Sequence, residues 1–233
     1  MVTLAGPGTI SLLLAPGPGA RLGVARTDGP VSGGVGDASL AWLAVEGGEG
    51  SLTVDGETTA VTGRTDVFDA PGWSALLGAG STFAIDGDVR TTVVWRADAR
   101  AVASRVIAPA EVVDEERGEG ATFRRVRTYV PEGPLIVGET LNPAGLWSSY
   151  PPHRHEHEEI YLYRFDPPAG FGMQMRSESD ADERAVVVRD GRIERITSGW
   201  HPVVAAPGAT LYYLWALAGD ADTLETEFDP RYA

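Results

Sequence analysis

Cysteine is absent from this chain. That excludes a disulfide framework, a thiolate nucleophile and thiolate-ligated zinc. It fits a reducing compartment, so a cytoplasmic location is the expectation. Lysine is absent too, and all 19 basic residues are arginine. Carbonyl chemistry through a lysine Schiff base is therefore excluded, although a coding preference for arginine is the plain explanation of the composition. Positive charge is scarce, at 19 basic against 33 acidic residues and a formal net charge of −14. Nucleic acid and anionic membrane surfaces are not expected partners, and an anionic ligand needs a local basic pocket. No apolar run approaches membrane-spanning length. The N-terminal "ISLLLA" has no basic segment before it and reads as an edge strand followed by a loop. Histidine is nearly absent: there are four, and none precedes position 153.

Glycine (29) and proline (16), by contrast, are spread through the chain as punctuation. Between them lie short runs rich in Val, Leu, Thr and Tyr, such as "SLAWLAVEG", "TTVVWR", "EIYLYRF" and "TLYYLWALAG". Many alternate with period two, as half-buried antiparallel strands do. "VDGE" and "RDGR" carry the Asp-Gly pair of a hairpin turn. The one candidate helix is a short stretch near "SDADERAV". The class is all-β, a sandwich or barrel.

The length of 233 residues suits one large β domain or two small ones. Residues 47–85 and 185–217 share a pattern of strand, hairpin, strand, Pro-Gly turn and strand, which points to two similar halves. The boundary is expected in the polar, strand-poor segment 96–120, giving domains at 1–100 and 101–233. Only the second can carry a histidine-rich site.

Three of the four histidines stand in "PPHRHEHEEIYLYRF", residues 151–165, among Glu156, Glu158 and Glu159. On a strand, His153 and His155 project from one face, and His157 and Glu159 continue that parity. A strand rises about 3.3 Å per residue, so His153 and Glu159 stand roughly 20 Å apart if the chain is straight. Metal–nitrogen bonds are about 2.0–2.1 Å. If Glu159 is to join His153 and His155, the chain must turn, with Glu156, His157 and Glu158 in the turn. The rival set is His155, His157 and Glu159 on one continuous strand, and an exposed polar turn holding no metal is a third reading. Spacing leaves these open. His201, in "SGWHPVVAAPG", is the remaining histidine and supplies a fourth ligand if the fold brings it near. Histidines plus a carboxylate leave open coordination positions, the pattern of a catalytic metal.

"HRHEHEEIYLYRF" resembles the first cupin motif, HxH with a spacer and Glu, and "GWHPVVAAPG" resembles the second. More specifically, "GLWSSYPPHRH", "EEIYLYRFDPPAGFGMQ" and "GWHPVVAAPGATLYYLWALAG" resemble the 5-deoxy-glucuronate isomerase family of myo-inositol catabolism, related to the 4-deoxy-threo-hexosulose-uronate ketol-isomerases. The resemblance covers nearly the whole chain and is most specific over 117–219. It implies a tandem cupin of two antiparallel barrels with one divalent ion (Zn, Mn or Fe) in the second. It selects His153, His155, Glu159 and His201 as ligands and leaves His157 in the spacer. Two departures stand out. The spacer between His155 and Glu159 is only three residues, and the terminal "DTLETEFDPRYA" is shorter and less aromatic than the family's.

The resemblance also implies the conversion of 5-deoxy-D-glucuronate, an aldose acid, to 5-dehydro-2-deoxy-D-gluconate, a ketose acid. A proton moves between C1 and C2 while negative charge develops on two oxygens, which a divalent ion stabilises. The candidate proton carriers are Glu159, Glu158, His157 or a metal-bound hydroxide. Candidate contacts to the sugar acid are Tyr150, Tyr161, Tyr163, Arg164 and Gln174, with Arg176 a weaker one. Parity puts Tyr161 and Tyr163 on the face of Glu159 and Arg164 on the other. Trp147 and Trp200 read as packing. The competing readings are an Fe(II)-dependent cupin dioxygenase and a non-catalytic metal- or sugar-binding cupin. Exposed sheet edges make a homo-oligomer the expectation.

Overall fold

Runs that alternate apolar and polar residues, cut by glycine and proline, fold here as strands. The computed structural model describes residues 1–232 and is all-β. Among the described residues the only helical segments are three 3-10 turns, Pro109–Glu111, Gly120–Thr122 and Asp180–Asp182. The last lies where the sequence suggests a short helix. The valine-rich run after it, Arg184–Arg189, forms a strand, as β-branched residues favour. No helix is long and apolar enough to cross a membrane.

The chain divides into two units, Met1–Val112 and Val113–Ala233. The division falls later than residue 100 because strand Arg105–Ile107 pairs with Ser74–Leu77 of the first unit. Segment 96–120 is poorer in strand than the rest of the chain, but it also contains the short strand Val113–Arg117. That strand is the edge of its sheet and carries Asp114, Glu115, Glu116 and Arg117. Charge protects an edge from unwanted pairing, and it removes the apolar alternation by which a strand is recognised.

The first unit is a nine-stranded sheet. Its frame is two 16-residue strands, Ser39–Val54 and Thr82–Ala97, antiparallel with a bulge between Val45 and Gly47. Their inward residues, Leu43, Leu52, Phe83, Ile85 and Val93 among them, form the core. The hairpin expected at "VDGE" is present: Asp55 and Gly56 both take positive φ (49° and 88°), as a two-residue primed turn requires. Thr9–Leu14, the "ISLLLA" strand, pairs with Leu22–Asp28 alone and is an edge.

The second unit has a six-stranded sheet in the order Val113–Arg117, Arg124–Val130, Ile136–Asn142, Thr210–Ala218, Glu158–Asp166, Ile193–Ile196. A four-stranded sheet orders Trp147–Ser148, Val203–Ala205, Phe171–Arg176, Arg184–Arg189, and a two-stranded ribbon joins His153–Arg154 to Glu227–Phe228. The two larger sheets share one core. Tyr161, Tyr163, Phe165, Leu211 and Tyr213 come from the first, and Val188, Val203 and Ala205 from the second. The Asp-Gly turn of "RDGR" does not close a hairpin. It carries the chain from the four-stranded to the six-stranded sheet, and the Asp190 carboxylate accepts hydrogen bonds from Arg164 Nε and the Phe165 amide, each at 3.0 Å.

Candidate metal centre

Strand alternation sets the inner face of the six-stranded sheet. Glu159, Tyr161 and Tyr163 lie on one face of their strand, opposite Leu217, Trp215 and Tyr213 of the neighbouring one. Before this strand the chain turns twice. Ser149 takes a left-handed φ of 54°, uncommon for a residue with a side chain. After His153–Arg154 a second turn over His155, Glu156 and His157 leads into Glu158–Asp166. This second turn brings the His155 ring to Glu159 and close to the rings of His153 and His201. The strand starts at Glu158, one residue earlier than the turn expected from spacing. His201 arrives from the segment before Val203–Ala205, tied by the bridge between Ser177 and Trp200.

Each of His153, His155 and His201 offers a ring nitrogen within 4.8 Å of the others. Glu159 Oε2 lies 3.2 Å from both His155 Nε2 and His201 Nε2. Two donors that share an ion at about 2.1 Å stand roughly 3–4 Å apart, so this spacing fits one ion. The tautomers fit as well. His155 Nδ1 lies 3.0 Å from the His157 carbonyl, and His201 Nδ1 lies 2.8 Å from the Gly199 carbonyl. A carbonyl only accepts, so each Nδ1 carries the hydrogen. In the neutral rings Nε2 then presents a lone pair toward a carboxylate. Lone pairs facing an anion need a cation between them, a proton or a metal ion. His201 Nε2 shows this most plainly. It is buried and makes no hydrogen bond, because the ring aims no hydrogen at the oxygen 3.2 Å away.

Burial and neighbouring charge act together on these groups. Burial, reinforced by the His201 ring, lowers His153 to about 4. Burial lowers His155 too, but the Glu159 carboxylate outweighs it and the net shift is upward. For Glu159 burial pushes up, yet the His155 and His201 rings, when each carries a proton on Nε2, hold the carboxyl down at about 2, and a cation in the place of those protons acts in the same direction. The carboxylate is thus ionised, as a metal ligand must be.

A cavity of about 130 Å3 opens beside the centre, lined by His153, His155, Glu159, Ser149, Tyr161 and Tyr213. The Tyr161 hydroxyl is 3.0 Å from Ser149 Oγ, and Tyr213 bonds Ser148 Oγ. Burial raises both tyrosines, which keeps these hydroxyls protonated. A larger cleft of about 480 Å3, lined by Arg154, Glu156, His157, Glu225 and Glu227, shares only His155 with this cavity. The inner cavity holds the converging donors and is the functional candidate.

The other residues singled out in the sequence lie elsewhere. His157 Nε2 is 3.0 Å from the Ala221 carbonyl, and the ring faces the outer cleft. Glu158 is on the opposite strand face from Glu159 and pairs with Arg195 at 3.2 Å. Arg164 is on that same opposite face, paired with Asp190. The Tyr150 ring packs at a tilt against Trp147, 5.7 Å between centroids, and edge-on against Tyr232 at 6.1 Å, beside an apolar depression apart from the cavity. Tyr163 and Gln174 are fully buried, and the Tyr163 hydroxyl and both Gln174 amide atoms make no hydrogen bond in the structure. Arg176 bonds the Arg195 carbonyl, and burial lowers its pKa. Arg117, Arg124 and Thr140, none of them sequence candidates, line the cavity.

The profile of the KduI/IolB family matches residues 27–233. The chain belongs to the KduI/IolB family. It is 34% identical over 186 residues to the 5-deoxy-glucuronate isomerase of Geobacillus kaustophilus (strain HTA426), covering 72% of this chain and 67% of that relative. The IolB-like protein of Salmonella typhimurium LT2 superposes with a TM-score of 0.86 at 22% identity, over 98% of both chains. A cupin 2 conserved barrel domain protein from Leptotrichia buccalis superposes with a TM-score of 0.55 at 12% identity, over 92% of this chain and 90% of that one. The fold is cupin-like, and the chain is an isomerase of its family.

Proposed function

We propose that the chain is a tandem cupin whose second unit holds one divalent ion on His153, His155, Glu159 and His201, and that it isomerises 5-deoxy-D-glucuronate to 5-dehydro-2-deoxy-D-gluconate. The carrying observation is the buried His201 Nε2, which has no hydrogen-bond partner and faces the ionised Glu159 beside His155. The substrate is taken from relatives named 5-deoxy-glucuronate isomerase. Zinc, manganese and iron all suit a set of imidazoles and one carboxylate. Bound there, the ion supplies Lewis-acid stabilisation of the charge that develops on two adjacent substrate oxygens.

The residues of the chain do the rest. The carbonyls of His157 and Gly199 fix the ring tautomers, so that Nε2 of His155 and His201 face inward. Among the described residues Glu159 is the only carboxylate lining the cavity. Held ionised, it is suited to balancing positive charge rather than taking up a proton. Tyr161, neutral and oriented by Ser149, offers a hydrogen bond to a substrate oxygen. Leu217 and Trp215 form the apolar wall that excludes water.

The test is proton NMR in D2O on zinc-, manganese- or iron-loaded protein given 5-deoxy-D-glucuronate. Conversion to the ketose acid with deuterium entering at carbon supports the reading. Oxygen uptake with carbon-chain cleavage, or a bound and unchanged sugar, contradicts it.

A further inference from the structure

We infer that Arg124, flanked by Arg117, is the carboxylate-recognising end of the cavity and selects a sugar acid over a neutral sugar. This rests on the reading of the cavity as the isomerase site. Arg117 and Arg124 are direct partners across the antiparallel pair Val113–Arg117 and Arg124–Val130. Side chains at such positions share a face, and both line the cavity that contains His153, His155 and Glu159. Like charges placed directly opposite destabilise a sheet unless something offsets them. Arg117 is offset by Glu115, two residues before it on the same face. Arg124 donates one hydrogen bond, to the Thr122 carbonyl at 3.0 Å, and has no carboxylate partner among the described residues. Its charge is felt at the Tyr213 hydroxyl, inside the cavity. In a chain with 33 acidic and 19 basic residues, a half-buried arginine left without a carboxylate is set for an anion from outside.

The neighbours sharpen the assignment. Arg125, one residue on, faces the other way and pairs with Asp114 at 2.6 Å. Arg127 shares the parity of Arg125 but is buried, and it stands 3.6 Å from both Asp114 and Glu139. Arg164, the basic residue named for this task from the sequence, is held by Asp190. The cavity therefore has a metal-donor group at one part of its wall and a guanidinium with unused donors at another. That polarity suits an open-chain aldose acid, with its reacting carbons at the donors and its carboxylate on Arg124. A planar guanidinium binds a carboxylate through two parallel hydrogen bonds, which an ammonium does not reproduce.

The test is calorimetric titration of zinc-loaded protein with D-glucuronate and with D-glucose, which differ at the carboxylate carbon. Wild-type protein should bind glucuronate at least about 10-fold tighter, as a charge-assisted pair provides. Arg124→Gln should lose roughly 10- to 100-fold in glucuronate affinity, with glucose affinity and zinc stoichiometry unchanged. Arg125→Gln, with the same charge change on the outer face, should bind both sugars as wild type does. Arg124→Lys should recover part of the loss. The assignment is overturned if the two glutamine variants lose affinity equally, if Arg124→Gln binds glucuronate normally, or if wild type shows no preference for glucuronate. Turnover of 5-deoxy-D-glucuronate is read separately. No turnover, with Arg124-dependent glucuronate binding intact, removes the isomerase reading and leaves the carboxylate site standing.

Discussion

His201 Nε2 stands 3.2 Å from Glu159 Oε2, buried, with no hydrogen-bond partner. The Gly199 carbonyl takes the hydrogen at the other ring nitrogen. A buried polar atom left in this state normally costs about 1–3 kcal/mol. It is retained where a ligand compensates it, and a cation held by both atoms would do so here.

Strand parity separates the two adjacent glutamates. Glu159→Gln should weaken zinc binding by roughly 100-fold or more, beyond the 10- to 100-fold typical of losing an outer-shell partner. Glu158→Gln removes a partner of Arg195 on the other face and should leave zinc affinity within about 2-fold. Competition with a chromophoric chelator measures both.

The turn that carries His155 also depends on Gly219. A Cβ at that position would stand 2.4 Å from Cδ2 of His157, whose ring is buried and bonded to Ala221. Gly219→Ala should destabilise the fold by about 1–3 kcal/mol, as overpacking does. It should also weaken zinc binding, because the His157 carbonyl positions the His155 ring. Urea denaturation and the same chelator titration read the two effects.

Tyr161→Phe removes a hydroxyl bonded to Ser149 at 3.0 Å without changing the cavity wall. The expected result is a fall in kcat of about 10-fold or more, from the loss of one preorganised donor, with zinc affinity unchanged. Steady-state kinetics and metal analysis decide it.

Arg164→Ala should leave turnover and zinc content at wild-type levels. Its ion pair with Asp190 at 3.0 Å is partly exposed and contributes at most about 1 kcal/mol. A loss of activity with stability intact would return Arg164 to the site.

Much of this was legible in the sequence because the strands alternate cleanly. "EEIYLYRF" places Glu159, Tyr161 and Tyr163 on one face by period two alone, and the structure keeps that face inward. The length of a straight strand already required a turn if Glu159 was to join His153 and His155, while spacing left the set His155, His157 and Glu159 on one straight strand open. The short spacer, a departure from the family pattern, still closes that turn. The arginines were hidden for two reasons. Strand Val113–Arg117 is an edge whose charged residues carry no apolar period. The pairing of Arg117 with Arg124 is a cross-strand relationship, and no local pattern records cross-strand register. Glu158 and His157 drew notice by proximity in the chain, but their strand face and turn position point them away from the donors.

Anomalous diffraction from crystals of zinc-loaded protein, recorded on both sides of the zinc absorption edge, tests the central claim most directly. One ion per chain should lie about 2.0–2.2 Å from a nitrogen of each of His153, His155 and His201 and from an oxygen of Glu159. Zinc absent from these four residues at full loading, or held by His157 and Glu158 instead, would contradict the account.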